Sequence, residues 1–122
     1  MTDPKTNSIL DEGNRLFLQG NFEQAINYYD KILDDDPKHV SSLNNKGYAL
    51  SKLKDFTNAM KCYDAALKIS PGDLSVLINK ISSFRKQGNL VEALMICDNI
   101  LKNNKNYNIV FGIIFQNFIT NQ

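Results

Sequence analysis

A period constrains this chain more than any other feature of it. Ile9, Leu43, Leu77 and Phe111 follow one another at intervals of 34 residues, and the same offset relates Leu16 to Leu50 and Phe84, Phe22 to Phe56 and Leu90, Ala25 to Ala59 and Ala93, Asp30 to Asp64 and Asp98, and Leu33 to Leu67 and Leu101. Gly13 and Gly47 share it, as do Pro37 and Pro71. Self-similarity at this length marks an array of units, each too small to bury its own apolar face, that hide it by stacking.

The unit is a helical hairpin. Each repeat divides at a short polar turn, QGN at 19–21, LKD at 53–55 and QGN at 87–89, with apolar residues at three-to-four spacing on both sides. Asn21 with Gln24, and Asn89 with Glu92, have the spacing of a capping box for the second helices. Asp36-Pro37 and Ser70-Pro71 read as an N-cap followed by proline at the first helical position of the next helix.

The stretch LNNKGYALSKLKDFTNAMKCYDAALKISP, Leu43 to Pro71, resembles the tetratricopeptide repeat family through Gly47, Ala59, Tyr63, Ala66 and Pro71. The resemblance implies an all-α fold, a right-handed α-solenoid of seven helices in a single domain. Its repeats run over 6–39, 40–73 and 74–107, followed by a last helix over 108–122. It also offers a reason for glycine inside a helix, where it costs about 0.5–1 kcal/mol relative to alanine. The two helices of the hairpin cross closely, and Gly47 is expected to admit Ala59. The third repeat departs from the pattern: Ile81 replaces the glycine, Cys97 the tyrosine and Lys105 the proline. Large and small are exchanged, and Ile81 is expected to fill the volume that the missing ring vacates.

Composition narrows the function by exclusion. Fourteen basic and thirteen acidic residues among 122 leave a formal charge of +1, which carries no global signature of a nucleic-acid or membrane-surface protein. No apolar run approaches the roughly 20 residues that span a bilayer, and the opening MTDPKTNSIL lacks the layout of a signal peptide, so a cytoplasmic location is expected. Cys62 and Cys97 sit in helical apolar patterns with no cysteine or histidine at ligand spacing and are expected to be buried thiols. His39, the one histidine, is expected in a solvated turn, and Asp34, Asp35 and Asp36 form a solvated helix end rather than a cation site. No glycine-rich phosphate loop, metal spacing or serine-nucleophile motif is present, so neither an enzyme nor a cofactor is expected.

A non-catalytic protein–protein interaction module remains. The resemblance implies a concave groove lined by the first helices. Asn45 and Asn79 are expected to form a ladder along it, with Asn14, Tyr48 and Ser82 one turn further and Lys52, Arg85 and Lys86 near its end. An extended or short-helical peptide would be gripped by its main chain. Acidic side chains of that peptide would lie toward the later repeats, since residues 40–107 hold ten basic and five acidic side chains against four and eight in 1–39. The family's carboxylate clamp for chaperone tails keeps Asn14 and Asn45, but Leu10, Ser75 and Asn79 stand where its cations belong, so no chaperone-tail clamp is expected. The alternative is assembly. The uncharged NIVFGIIFQNFITNQ leaves Ile109, Val110, Ile113 and Ile119, with Gly112 among them, to join a second copy in a homodimer.

Overall fold

A computed structural model describes residues 3–103 together with Gly112 and Gln116. The described residues hold six helices and no strand: α1 (Pro4–Leu18), α2 (Phe22–Asp35), α3 (Val40–Lys52), α4 (Phe56–Ile69), α5 (Leu74–Lys86) and α6 (Leu90–Asn103). They fall into two compact units, one extending to Val76 and one beginning at Leu77. The expected seventh helix, and Ile109, Val110, Ile113 and Ile119 within it, lie outside the described residues. Gly112 is exposed, and a β-carbon there would meet nothing within 4 Å.

Helix α1 begins where Asp3 Oδ1 accepts the Thr6 N–H at 2.8 Å, with Pro4 at the first position, where a missing N–H costs nothing. That hydrogen bond, made to the ionised form, holds the Asp3 carboxyl below its ordinary range. The helix ends in a Schellman motif: Gly20 takes φ +82°, its N–H donates to Phe17 O, and the Asn21 N–H donates to Leu16 O at 2.9 Å. The same two bonds recur after α3, from Lys54 to Ser51 O and from Asp55 to Leu50 O, and after α5, from Gly88 to Arg85 O and from Asn89 to Phe84 O. The middle copy is made without glycine, Lys54 standing at φ +65°.

The expected caps of the other helices are not the ones formed. Asn21 makes no side-chain cap; its amide donates back to Gln19 Oε1 at 3.5 Å, and the Asn89 amide donates likewise to Gln87. The prolines do not open helices either. Asp36-Pro37-Lys38-His39 and Ser70-Pro71-Gly72-Asp73 close as turns through His39 N–H to Asp36 O and Asp73 N–H to Ser70 O, which puts each proline at the turn position that its fixed φ suits. The helices start three residues later. His39 is therefore not a freely solvated turn residue: it is half-buried and caps α3, its Nδ1 accepting from Ser42 N–H at 3.2 Å and lying 2.8 Å from Ser42 Oγ. Asp73 Oδ1 receives Val76 N–H at the start of α5.

In the first unit α1 packs on α2, α3 on α4, and α2 on α3. Ala25, Tyr29 and Leu16 form the core of the first pair; Leu43, Ala59, Tyr63, Ala66 and Val76 form that of the second. The glycines admit rings rather than the alanine methyl expected at Ala59. A β-carbon at Gly47 would lie 2.6, 2.9 and 3.1 Å from Cε1, Cδ1 and Cζ of Tyr63, and one at Gly13 would lie 2.8 Å from Cε1 of Tyr29. Between the pairs, Lys46 Nζ meets Asp30 Oδ1 at 2.6 Å. In the second unit Ile81, Ser83, Ala93, Cys97 and Ile100 are buried. Cys62 and Cys97 are free thiols, and burial pushes both above their ordinary pKa.

Candidate functional site

Helical spacing sets the site on α1 and α3. Asn14 and Phe17 are three apart on α1, and Asn45, Tyr48 and Lys52 follow at three and four on α3, so each set forms a stripe on one helix face. The two stripes meet. The Phe17 and Tyr48 rings stand 5.0 Å apart, centroid to centroid, and Phe17 also packs edge-on against Phe22 at 5.1 Å. A cavity of about 210 Å³ opens between the stripes, lined by Asn14, Phe17, Leu18, Tyr29, Asn45 and Tyr48. Lys52 Nζ lies 5.3 Å from the Tyr48 ring centroid, in the range of a cation–π contact.

The polar side of this cavity is one hydrogen-bond network. Asn14 Oδ1 accepts from the Tyr29 hydroxyl at 2.7 Å and from Asn45 Nδ2 at 3.0 Å. Burial of the ring pushes the Tyr29 pKa up to about 12, so the hydroxyl stays a donor across the physiological range. With its oxygen doubly occupied, Asn14 has its Nδ2 donors left to offer. Asn45, having spent a donor on Asn14, keeps Oδ1 as an acceptor. The pair thus retains one kind of donor and one acceptor, the groups that the C=O and N–H of a single residue in an extended chain require.

Of the eight residues read from the sequence as groove-lining, Asn14, Asn45, Tyr48 and Lys52 come together here. Asn79, Ser82, Arg85 and Lys86 lie on α5 in the second unit, the first three half-buried and Lys86 exposed. Asn45 is bonded to Asn14, a partner that the expected ladder with Asn79 did not include. Three lining residues were not anticipated: Phe17, Leu18 and Tyr29. Phe17 sits three residues after Asn14, a spacing that could have named it; Tyr29 reaches the site only through the length of its ring across the hairpin. Among the described residues no group of three or more His, Cys, Asp or Glu is placed to hold a metal ion.

A family model described as "Tetratricopeptide repeat" matches residues 10–73, just over half of the sequence. The protein belongs to the tetratricopeptide repeat family. Its all-α, hairpin-built fold is the α-solenoid class of that family. Solved structures agree on the fold. The TPR2B domain of yeast Sti1, described as a complex with pHsp70, superimposes with a TM-score of 0.78 at 18% identity, over 97% of this protein and 99% of that one. The first TPR of Spaghetti (RPAP3), described as bound to the HSP90 peptide SRMEEVD, gives a TM-score of 0.75 at 23% identity, over 98% and 97%. Yeast Tom70 gives 0.75 at 20% identity; there the match covers 97% of this protein and 24% of the larger one. No curated protein matches the sequence.

Proposed function

We propose that this protein is a non-catalytic, cytoplasmic interaction module that grips an extended or short-helical segment of a partner protein by its backbone across α1 and α3. The observation that carries the reading is the shared oxygen of Asn14, which accepts from Tyr29 and Asn45 and so leaves Asn14 Nδ2 as donor and Asn45 Oδ1 as acceptor for a partner. One backbone carbonyl and one backbone N–H of the partner satisfy both. Asn79, Ser82, Arg85 and Lys86 on α5, in the second unit, are proposed as a set of contacts of their own, with acidic partner side chains toward the basic ones. The similar domain of Sti1 is described in a complex with pHsp70 and that of Spaghetti with an HSP90 peptide bound, which supports a peptide ligand. Half-buried Leu10, exposed Ser75 and half-buried Asn79 stand here where a terminal-carboxylate clamp needs cations, so the segment bound is an internal one.

The test is a peptide array read with the labelled protein and followed by fluorescence anisotropy on the best binders. Asn14→Asp keeps an oxygen for Tyr29 and Asn45 while replacing the outward donor with an acceptor, and Asn45→Ala removes the neighbouring acceptor. Each lost hydrogen bond is expected to weaken binding by about 0.5–1.5 kcal/mol, with folding retained in Asn14→Asp. Full affinity in the double variant overturns the reading. SRMEEVD with a free or an amidated C-terminus is expected to give the same weak signal, and a strong preference for the free carboxylate overturns the exclusion of the clamp.

A second reading, self-association, has one observation in its favour. Helix α6 leaves Leu90, Val91, Leu94 and Met95 between 53% and 68% exposed, a contiguous apolar face of the kind that marks an interface. Light scattering at high micromolar concentration decides it: a dimer whose dissociation follows Val91→Glu supports assembly, and a monomer throughout defeats it.

A further inference from the structure

Resting on the self-association reading and independently of the groove, we propose that the apolar face of α6 binds the same face of a second copy. The two helices run antiparallel about a twofold axis between Glu92 and Ala93. Leu90 of each copy then meets Met95 of the other, and Val91 meets Leu94.

Helix α6 is apolar on two sides and buried on one. Ala93, Cys97 and Ile100 form the buried side. Leu90, Val91, Leu94 and Met95, at three- and four-residue spacing roughly a third of a turn away, keep more than half of their surface in water. The earlier hairpins lack this second face. At the positions of Val91 and Met95 the first carries Glu23 and Asn27 and the second Thr57 and Lys61, all exposed. Glu23 and Asn27 stay exposed although α3 packs on α2, so one more helix stacked on α6 in that manner would leave Val91 and Met95 in water. Their cover comes from another molecule.

The order of the face selects a second copy. It reads the same from either end, an apolar pair, two residues turned away and an apolar pair. An antiparallel α6 therefore sets every member of the face on another member, the self-complementarity that a twofold interface demands. Charge fixes the direction. A parallel pair sets Asp98 beside Asp98, whereas the antiparallel pair carries the Asp98 of each copy past Leu90 of the other, to the amide end of its helix, where a negative charge is favourable. Lys102 Nζ, 2.9 Å from Asp98 Oδ2, keeps that acid paired as the face closes. Four side chains of this exposure offer on the order of 400 Å² per copy, against the roughly 800 Å² per partner of a standard interface. The dimer is accordingly weak, with a dissociation constant on the order of 100 μM.

The test is sedimentation of the full chain across a dilution series, alone and in mixtures of charged variants. Val91→Glu and Leu94→Lys are each expected to weaken the wild-type dimer about tenfold or more, because each buries a charge that its own copy cannot pair. Both positions are exposed, so helicity and the urea midpoint should be unchanged. Mixed together, the two variants are expected to form a dimer at concentrations where neither does alone, since Glu at 91 of one copy meets Lys at 94 of the other. Val91→Glu mixed with Val91→Lys is expected to stay monomeric, because the antiparallel register never brings the two 91 positions into contact. A wild-type monomer at every concentration overturns this pairing and the self-association reading together, whether the face is then taken by the chain's own end or by another protein. A dimer that neither charge weakens removes α6 from the interface and overturns both as well. Rescue in the second mixture, or in neither, overturns the antiparallel register and leaves assembly through α6 standing.

Discussion

Gly47 faces the ring of Tyr63 so closely that a β-carbon would lie 2.6 Å from Cε1. The ring is fully buried and cannot swing away, so Gly47→Ala sets overpacking of about 1–3 kcal/mol against a helix-propensity gain of about 1 kcal/mol. A net loss of stability is expected in urea titration. Adding Tyr63→Leu to Gly47→Ala should cost less than the two single losses combined, because the second change removes the atoms that the first one strikes.

The third hairpin exchanges large and small in sequence. Ile81 and Cys97, at the positions of Gly47 and Tyr63, are 1% and 5% exposed, the burial that an exchange of volume between the two helices requires. Cys97→Tyr alone is expected to destabilise by about 1–3 kcal/mol, and Cys97→Tyr with Ile81→Gly to recover most of it. Denaturant midpoints of the two variants measure this; a stabilised single variant contradicts it.

Lys54 adopts φ +65° in a turn whose two counterparts use glycine at φ +82°. A residue with a β-carbon pays roughly 1 kcal/mol in this region, and Lys54 is exposed. Lys54→Gly should raise the unfolding midpoint despite the added freedom of the unfolded state, and Gly20→Ala should lower it.

How far the sequence discloses the fold depends on the range of the forces. The 34-residue period reports which side chains meet across helices, and it placed all six described helices, the ring positions Tyr29 and Tyr63, and the exchange at Ile81 and Cys97. Capping was misread because backbone angles do not decide it alone: Asn21 and Asp55 have nearly the same φ and ψ, yet only Asp55, with two acceptor oxygens, receives the N–H of the residue three on, while the Asn21 amide turns back to Gln19. For the candidate site, the family resemblance and helical spacing together grouped Asn14, Asn45, Tyr48 and Lys52, and α1 and α3 bring these four near one another. It did not reveal that Asn14 Oδ1 serves two donors, since Tyr29 is fifteen residues from Asn14 and arrives by hairpin closure.

Titration of Tyr29 supplies a pH test. Its folded pKa, pushed to about 12 by burial, exceeds the ordinary value of 10.0. The unfolded state therefore loses this proton first as pH rises. The stabilisation is complete below about pH 10 and is lost progressively as pH climbs through about 12. Tyr29→Phe cannot titrate there, so the difference in unfolding free energy between wild type and variant should shrink or change sign over that window. A constant difference contradicts the assignment.

The single oxygen of Asn14 also decides when entropy is lost. Two amide groups on separate helices would ordinarily rotate and flip until a ligand selected one arrangement, and immobilising each of them on binding would weaken a complex by about 0.5–1.5 kcal/mol. Here Tyr29 and Asn45 restrain that motion as the hairpins close, so the ordering is already complete in the free protein. The proposed partner segment would then meet amides already held by these two bonds, and more of its contact energy would be available to hold it.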